Sequence, residues 1–265
     1  MSESSIAKSD FSQALARGLE MLEALSGAAE PLSVSQAAER VRISRAASRR
    51  LLLTLRELGY VRSYDSRYWL TARVLQLGAG LVRSGGLWSS VAPSVIDLAN
   101  RLNEPCSISV LDGPDTVFVC RDATRRIFTT RLGVGDRLPA NCSASGKTLL
   151  ACLAAPDLDH VLALRRLVAR TPASITDPAR LRAELGLTRT RGYGLAIDEM
   201  EEGTLSVAVP LRDREGQVIA AMSLASHRMR CTPADLQGLL LDELRLAARQ
   251  VEQVVENFGD RGWVP

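Results

Sequence analysis

The chain has 265 residues, 46% of them hydrophobic and 24% charged, and a formal net charge of +3. That is enough for one large domain or two ordinary ones with a real core. Its five cysteines are odd in number and none form a C-x-x-C pair, which argues against a disulfide framework or a zinc site. The polar start MSESSIAKSD does not read as a secretory signal, and no apolar run approaches the length of a membrane span. A cytoplasmic chain with reduced thiols, no metal, no cofactor and no membrane partner is expected.

In chain order, Leu15, Leu19, Leu22 and Leu25 recur at helical spacing, predicting a helix over 11–25 that ends at Ser26-Gly27. A second helix follows Leu32-Ser33, with Val34, Ala37, Ala38 and Val41 as its buried side. After a tight break, Ser44 is a good N-cap for a third helix, whose apolar stripe is Leu51, Leu55 and Leu58. Arg45, Arg49 and Arg50 crowd the start of that helix. Tyr60-Val61-Arg62 and Tyr68-Trp69-Leu70 read as two strands turned by Asp65-Ser66. This is the layout of a helix-turn-helix with a wing.

The net charge hides a local excess that matters more. Nine arginines (40, 42, 45, 49, 50, 56, 62, 67 and 73) fall in one stretch, opposed between Arg45 and Arg73 only by Glu57 and Asp65. Most charge runs are solvated helix faces. Here the run coincides with the helix-turn-helix pattern, so double-stranded DNA is the favoured partner.

A further helix is predicted over 71–83, with Val74, Leu77 and Leu81 on an apolar face suited to dimerisation, and Ser84-Gly85-Gly86 breaks it. Beyond that point a helix over 89–103 leads to strands at 106–111 and 116–121 around the Asp112–Asp115 turn. Residues 127–132 read as another strand. A helix opens near Ser143 or Ser145 and runs through Leu153, and two more cover 156–164 and 178–190. Strands at 193–198, 204–211 and 218–225 precede a long terminal helix carrying Leu236, Leu240, Leu244, Val251 and Phe258 on one side. Hairpin connections dominate, which points to an α+β domain with a mostly antiparallel sheet.

Several segments resemble the IclR family of bacterial transcription regulators. They are ARGLEMLEAL, LSVSQAAERVRISRAASRRLLLTLRELGYV and RYWLTARVLQLG in the first part, then LPANCSASGKTLLA and RGYGLAIDEMEEGTLSVAVPLRDREGQVIAAMSLA. Finer matches, among them NEPCSISVLDG and TRRIFTTRLGVGDRLPA, look like the branch that regulates protocatechuate and β-ketoadipate catabolism, the PcaR/PcaU/PobR group. The resemblance implies a winged helix-turn-helix DNA-binding domain over 10–72, a linker helix over 73–86 and a GAF-like effector-binding domain over 87–259. It also implies a homodimer or dimer of dimers and no catalytic activity.

On DNA, the first turns of a helix in the major groove reach base edges. Ser44, Arg45, Ala46, Ser48, Arg49 and Arg50 lie there. Arg45 or Arg49 could fork onto a guanine, Arg50 and Thr54 hold phosphates, and Arg62, Arg67 and Tyr68 belong to the wing. For the effector, a helix opening at Ser143 leaves amides at a positive dipole end, where a carboxylate can sit. The resemblance implies Asn141, Ser143, Ala144 and Ser145 as the pocket floor, and Ile127, Thr129, Arg131, Ser206 and Ser223 as its walls. Arg131 could pair with an anionic ligand, or strand alternation could point it outwards. Ser143 and Ser145 are equally plain helix caps, and both roles can hold together. Ala196 gives an apolar wall, which suits an aromatic acid such as protocatechuate or 4-hydroxybenzoate; β-ketoadipate is the other candidate effector.

Three rival readings exist. Ala144–Thr148 resembles the end of a phosphate-binding loop, which would make the Ser143–Thr148 segment a nucleotide site, but the opening glycine is replaced by Asn141. A hydrolase would need its histidine among His160 and His227, with no accompanying nucleophile motif. A DNA binder without a ligand would not need so large and strand-rich a second part.

Overall fold

The computed structural model describes residues 10–82, 86–122 and 132–258. The chain divides into two compact units, Met1–Val82 and Arg83–Pro265, a boundary inside the segment expected as linker.

The first unit runs α1 (Gln13–Ser26), β1 (Leu32–Ser33), α2 (Val34–Val41), α3 (Arg45–Glu57), β2 (Val61–Tyr64), β3 (Arg67–Leu70), a 3₁₀ turn (Ala72–Val74) and α4 (Leu75–Val82). Serine caps start the first three helices. Ser12 accepts from Leu15 N, Ser33 forms a reciprocal box with Gln36, and Ser44 accepts from Ala47 N. The turn between α2 and α3 hinges on Arg42, which ends α2 at a φ of 56°. Ile43 N then returns to Ala38 O at 3.0 Å. The three strands form a sheet in the order β1-β3-β2. Asp65 and Ser66 both take positive φ, so a two-residue turn closes the β2–β3 wing.

Met21, Leu25, Ala37, Val41, Leu52, Leu55, Val61 and Tyr68 make the core of this unit. The buried side of α3 is Ser48, Leu52 and Leu55 rather than the predicted Leu51, Leu55 and Leu58. Leu58 lies past the last turn and is 50% exposed, while Leu51 is half-buried. The full burial of Leu52 alone contributes about 1.5–3 kcal/mol. The helix predicted over 71–83 is instead a 3₁₀ turn followed by a separate α-helix. Thr71 causes the break: its hydroxyl donates to Gly59 O and accepts from Arg73 N, diverting the first turn.

The second unit runs α5 (Leu87–Leu102), β4 (Cys106–Asp112), β5 (Asp115–Arg121), β6 (Arg137–Pro139), a 3₁₀ turn (Ala140–Cys142), α6 (Ala144–Cys152), α7 (Ala155–Leu164), α8 (Pro178–Arg191), β7 (Gly194–Ile197), β8 (Thr204–Arg212), β9 (Val218–His227), α9 (Pro233–Gln237) and α10 (Leu239–Phe258). All strand pairs are antiparallel in the order β6-β5-β4-β9-β8-β7, as the hairpin pattern predicts. The long terminal helix is interrupted at Gly238, which closes α9 and lets α10 start afresh. The strand predicted over 127–132 lies, but for Leu132, outside the described residues.

The two faces of this sheet differ in chemistry. Cys106, Ile108, Val207, Val209, Met222 and Leu224 belong to a large apolar core completed by α5 and α10. The alternate residues are small or polar, and α6 packs over them. Gly194 permits that approach, because a Cβ there would lie 2.4 Å from Ala144 O. All five cysteines are free thiols, and burial pushes Cys106 up to about 12, so it stays neutral.

Candidate DNA-binding and effector sites

The exposed surface of α3 is basic. Ser44, Arg45, Ala46, Arg49, Arg50 and Thr54 are exposed on its first turns and outer side. Ser48, predicted among them, is not available. It is 0% exposed, and its hydroxyl donates to Val34 O at 3.0 Å, locking α3 against α2. Tyr68 is likewise a core residue at 7% exposure, because strand alternation turns it inward. Arg67 is exposed, yet it bonds Pro31 O and Gln36 Oε1 and so staples the wing to the start of α2. Arg62 is exposed on β2 without such a tie among the described residues. The wing also presents Tyr64, 80% exposed beside the turn, which the sequence reading missed although its place next to Asp65-Ser66 marked it. Arg73 lies over the Tyr60 ring at 5.1 Å, extending the cationic surface.

The second site forms where α6 begins. Ser143 caps the helix, its hydroxyl accepting from Gly146 N at 3.1 Å. The amides of Ala144 and Ser145 lie at the positive end with no intrahelical acceptor. Ser143, Ala144 and Ser145 face a narrow cavity whose other walls include Ser206 and Ser223 from the sheet and Met200 from the β7–β8 turn. The structure thus brings five of the predicted effector residues together. Ile127, Thr129 and Arg131 fall in 123–131, outside the described residues.

Asn141 does not line this cavity. Its Nδ2 donates to Val168 O and Ile175 O at 2.8 and 2.9 Å, so it is consumed in pinning the loop between α7 and α8. The same cavity is walled by Ser107, Phe118 and Arg121, which sequence reasoning missed. The only sequence signal for Ser107 was the alternation of serines and apolar residues in CSISV. A wider, more open cleft lies at the other end of α6, among Cys152, Arg182, Arg189 and Arg212. Its buried Thr148 already donates to Ala144 O and Ala208 O, and Arg182 is already paired with Asp159.

Lys147 settles the phosphate-loop reading. It is 1% exposed, donates to Leu195 O at 2.9 Å and pairs with Glu199. A lysine so enclosed cannot reach a triphosphate, and Gly146 sits against Ala140 instead of opening a loop: a Cβ there would lie 2.3 Å from its backbone. Burial raises Glu199 above the ordinary carboxylate range, with the Lys147 charge opposing it. His160 is exposed and His227 half-buried. Among the described residues no cluster of three metal-ligating side chains occurs, and no helix is long and apolar enough to cross a membrane.

A winged helix-turn-helix in one unit, with a capped helix end over a hydroxyl-lined cavity in the other, defines a ligand-responsive transcription regulator. Residues 14–64 match the IclR helix-turn-helix domain, and 80–253 match the bacterial transcriptional regulator IclR C-terminal domain. The chain belongs to the IclR family of bacterial transcriptional regulators. It is similar to the Pca regulon regulatory protein of Pseudomonas putida, with 36% identity over 91% of this chain and 84% of that one. It is also 34% identical to the p-hydroxybenzoate hydroxylase transcriptional activator of Acinetobacter baylyi, over 96% of each chain. Among solved structures it is similar to an IclR homolog of Microbacterium hydrocarbonoxydans complexed with 4-hydroxybenzoate. That match has a TM-score of 0.75 and 26% identity over 91% of this chain and 98% of that one.

Proposed function

We propose that this chain binds a palindromic operator through Arg45, Arg49 and Arg50, with Arg62 and Tyr64 of the wing on the flanking backbone. A small aromatic acid held between the start of α6 and the serines of the sheet tunes that binding. The observation that carries this reading is the joint exposure of three guanidiniums on the first two turns of α3, while Ser48, Leu52 and Leu55 anchor its other side. That geometry suits insertion of a helix into the major groove. The names of the two relatives and the ligand of the Microbacterium hydrocarbonoxydans structure support an aromatic acid, with protocatechuate and 4-hydroxybenzoate first. β-Ketoadipate is the alternative effector.

One winged unit spans too few base pairs to be selective, so a homodimer or dimer of dimers is proposed. Leu15 and Leu19 on α1 and Phe11 just before its cap are exposed, and Leu75 and Leu77 are exposed on α4. These surfaces suit burial against a second copy. The protein acts as a regulator and not as an enzyme, in the cytoplasm.

The test is a gel-shift titration of the full-length protein on its own upstream intergenic region and on random duplex, with and without each acid. The expected result is a preference for the native region that at least one acid shifts. Equal affinity for both duplexes would refute the DNA reading. A native preference that no acid alters, joined to the absence of binding heat, would refute the aromatic-acid reading.

A further inference from the structure

The register of the sheet sets one row of side chains beneath α6. Arg121 on β5 pairs with Ser107 on β4, Ser107 with Ser223 on β9, Ser223 with Ala208 on β8, and Ala208 with Gly194 on β7. Directly opposite residues share a face, so these five side chains lie side by side. Chemically the row reads guanidinium, hydroxyl, hydroxyl, methyl, hydrogen. The two hydroxyls touch, with Ser107 Oγ and Ser223 Oγ 3.1 Å apart. Arg121 is the one charged side chain among the described residues that line the cavity.

Arg121 is also held in a defined pose. Its guanidinium lies 4.6 Å from the centroid of the Phe118 ring, and Nε donates to Leu132 O at 3.2 Å. Phe118 shares its face, since a bulge between Ile108 and Ser109 sets Phe118 opposite Ser109. Among the described residues no carboxylate forms an ion pair with Arg121, and its terminal nitrogens meet no acceptor. Burial pushes this guanidinium down from its ordinary value, with the nearby charges of Asp122 and Asp136 opposing the shift without pairing to it. A half-buried charge in such surroundings is costly unless an anion accompanies it.

Two positive groups therefore border one cavity, and magnitude separates them. A guanidinium carries a full charge and a fork matched to a carboxylate. A helix end carries about half a charge, and here Gly146 N is already satisfied by Ser143. We propose that Arg121 receives the carboxylate of the effector, while the ring lies along the Ser107–Ser223 row and a second polar group meets the start of α6. This rests on the aromatic-acid reading above and adds the orientation: acid toward β5, hydroxyl toward the helix. Small residues line the cavity under α6, which is narrow at about 30 Å³ and would have to widen for a flat ring, and a neutral ligand of the same shape is disfavoured.

The experiment is calorimetric titration of the full-length protein with 4-hydroxybenzoate and with its neutral isostere 4-hydroxybenzamide. The wild-type chain is expected to prefer the acid by ~10–100-fold, the worth of a charge-assisted hydrogen bond. Arg121→Gln is expected to bring the two ligands within about threefold of each other, and Arg121→Lys to keep most of the preference. A Gln variant that retains the full preference overturns the proposal. Should that variant fail to fold, a crystal structure of the wild-type complex decides. A carboxylate within hydrogen-bond distance of the Arg121 terminal nitrogens supports the assignment, and one seated on the α6 amides overturns it. If the wild-type chain binds none of 4-hydroxybenzoate, protocatechuate and β-ketoadipate, the underlying effector reading fails, a result distinct from an unchanged Gln variant.

Discussion

Two helices in this chain begin in the same way and end up with opposite jobs. α3 and α6 are each opened by a serine whose hydroxyl accepts from the third amide. α3 then buries one side and leaves arginines on the other. α6 is buried from Ala144 to Ala151. A helix start open to solvent and flanked by guanidiniums is fitted to a polyanion larger than itself. The same start enclosed by a sheet faces only a narrow cavity, with no room for a polyanion. The difference teaches that a cap alone specifies no partner; what surrounds it does.

The comparison is most sharply broken at Lys147, the one lysine inside α6. Lys147→Met leaves Glu199 buried without its counter-charge, and loss of one partner of such a pair costs about 3–5 kcal/mol. Chemical denaturation at neutral pH reads this. The loss should shrink on acidification, because Glu199 is already raised by burial and rises further without Lys147. A raised folded value means stability that is present at low pH and disappears as pH climbs through it. A pH-independent loss would mean that Lys147 serves packing alone.

The matching substitution in α3 should act on binding and not on folding. Arg49 is exposed, so Arg49→Ala should change stability by less than about 0.5 kcal/mol. Operator affinity should fall by ~1–3 kcal/mol, with a shallower salt dependence. An unchanged gel shift with an unchanged salt slope would remove Arg49 from the interface.

The smallest expected effect tests whether the turn that carries Met200 is set by electrostatics. Arg228 pairs with Asp198 and holds its carboxyl below the ordinary range. A depressed folded value gives stability that exists above the ordinary carboxylate pKa and fades as pH falls through the folded one. Wild type and Arg228→Ala should therefore differ at neutral pH and converge in acid. NMR titration of Asp198 in the variant should show its carboxyl returning upward.

Much of this was written in local patterns. Ser44 announced its helix, as did the Ser143–Ser145 segment, because a cap is a short-range event between a hydroxyl and an amide three residues on. The strands of the second unit announced themselves by turns at Gly113 and Gly216, both at positive φ. What escaped reading depends on register, which is decided between distant segments. Ser48 and Arg49 are neighbours of similar polarity, and only the packing of α3 on α2 makes one a core bond and the other a surface charge. Tyr68 turned inward because the alternation of β3 sets it on the face packed against the helical core. Asn141 looked like part of a pocket floor, and only the fold of 165–177 revealed the carbonyls that occupy it. Ser107 and Arg121 could not be joined in sequence, being 14 positions apart and brought level by one bulged hairpin.

That row of small side chains has an evolutionary corollary. The space beneath α6 is lined on the sheet side by side chains that lack larger groups, so its size there is set one carbon at a time. Exchanging Ser223 or Ala208 for valine would trim the chamber without touching the strands that hold it, and exchanging Ser206 for glycine would enlarge it. On the proposed reading, a lineage could move from one small ligand to another by single-codon steps, while the DNA-binding unit stays the same.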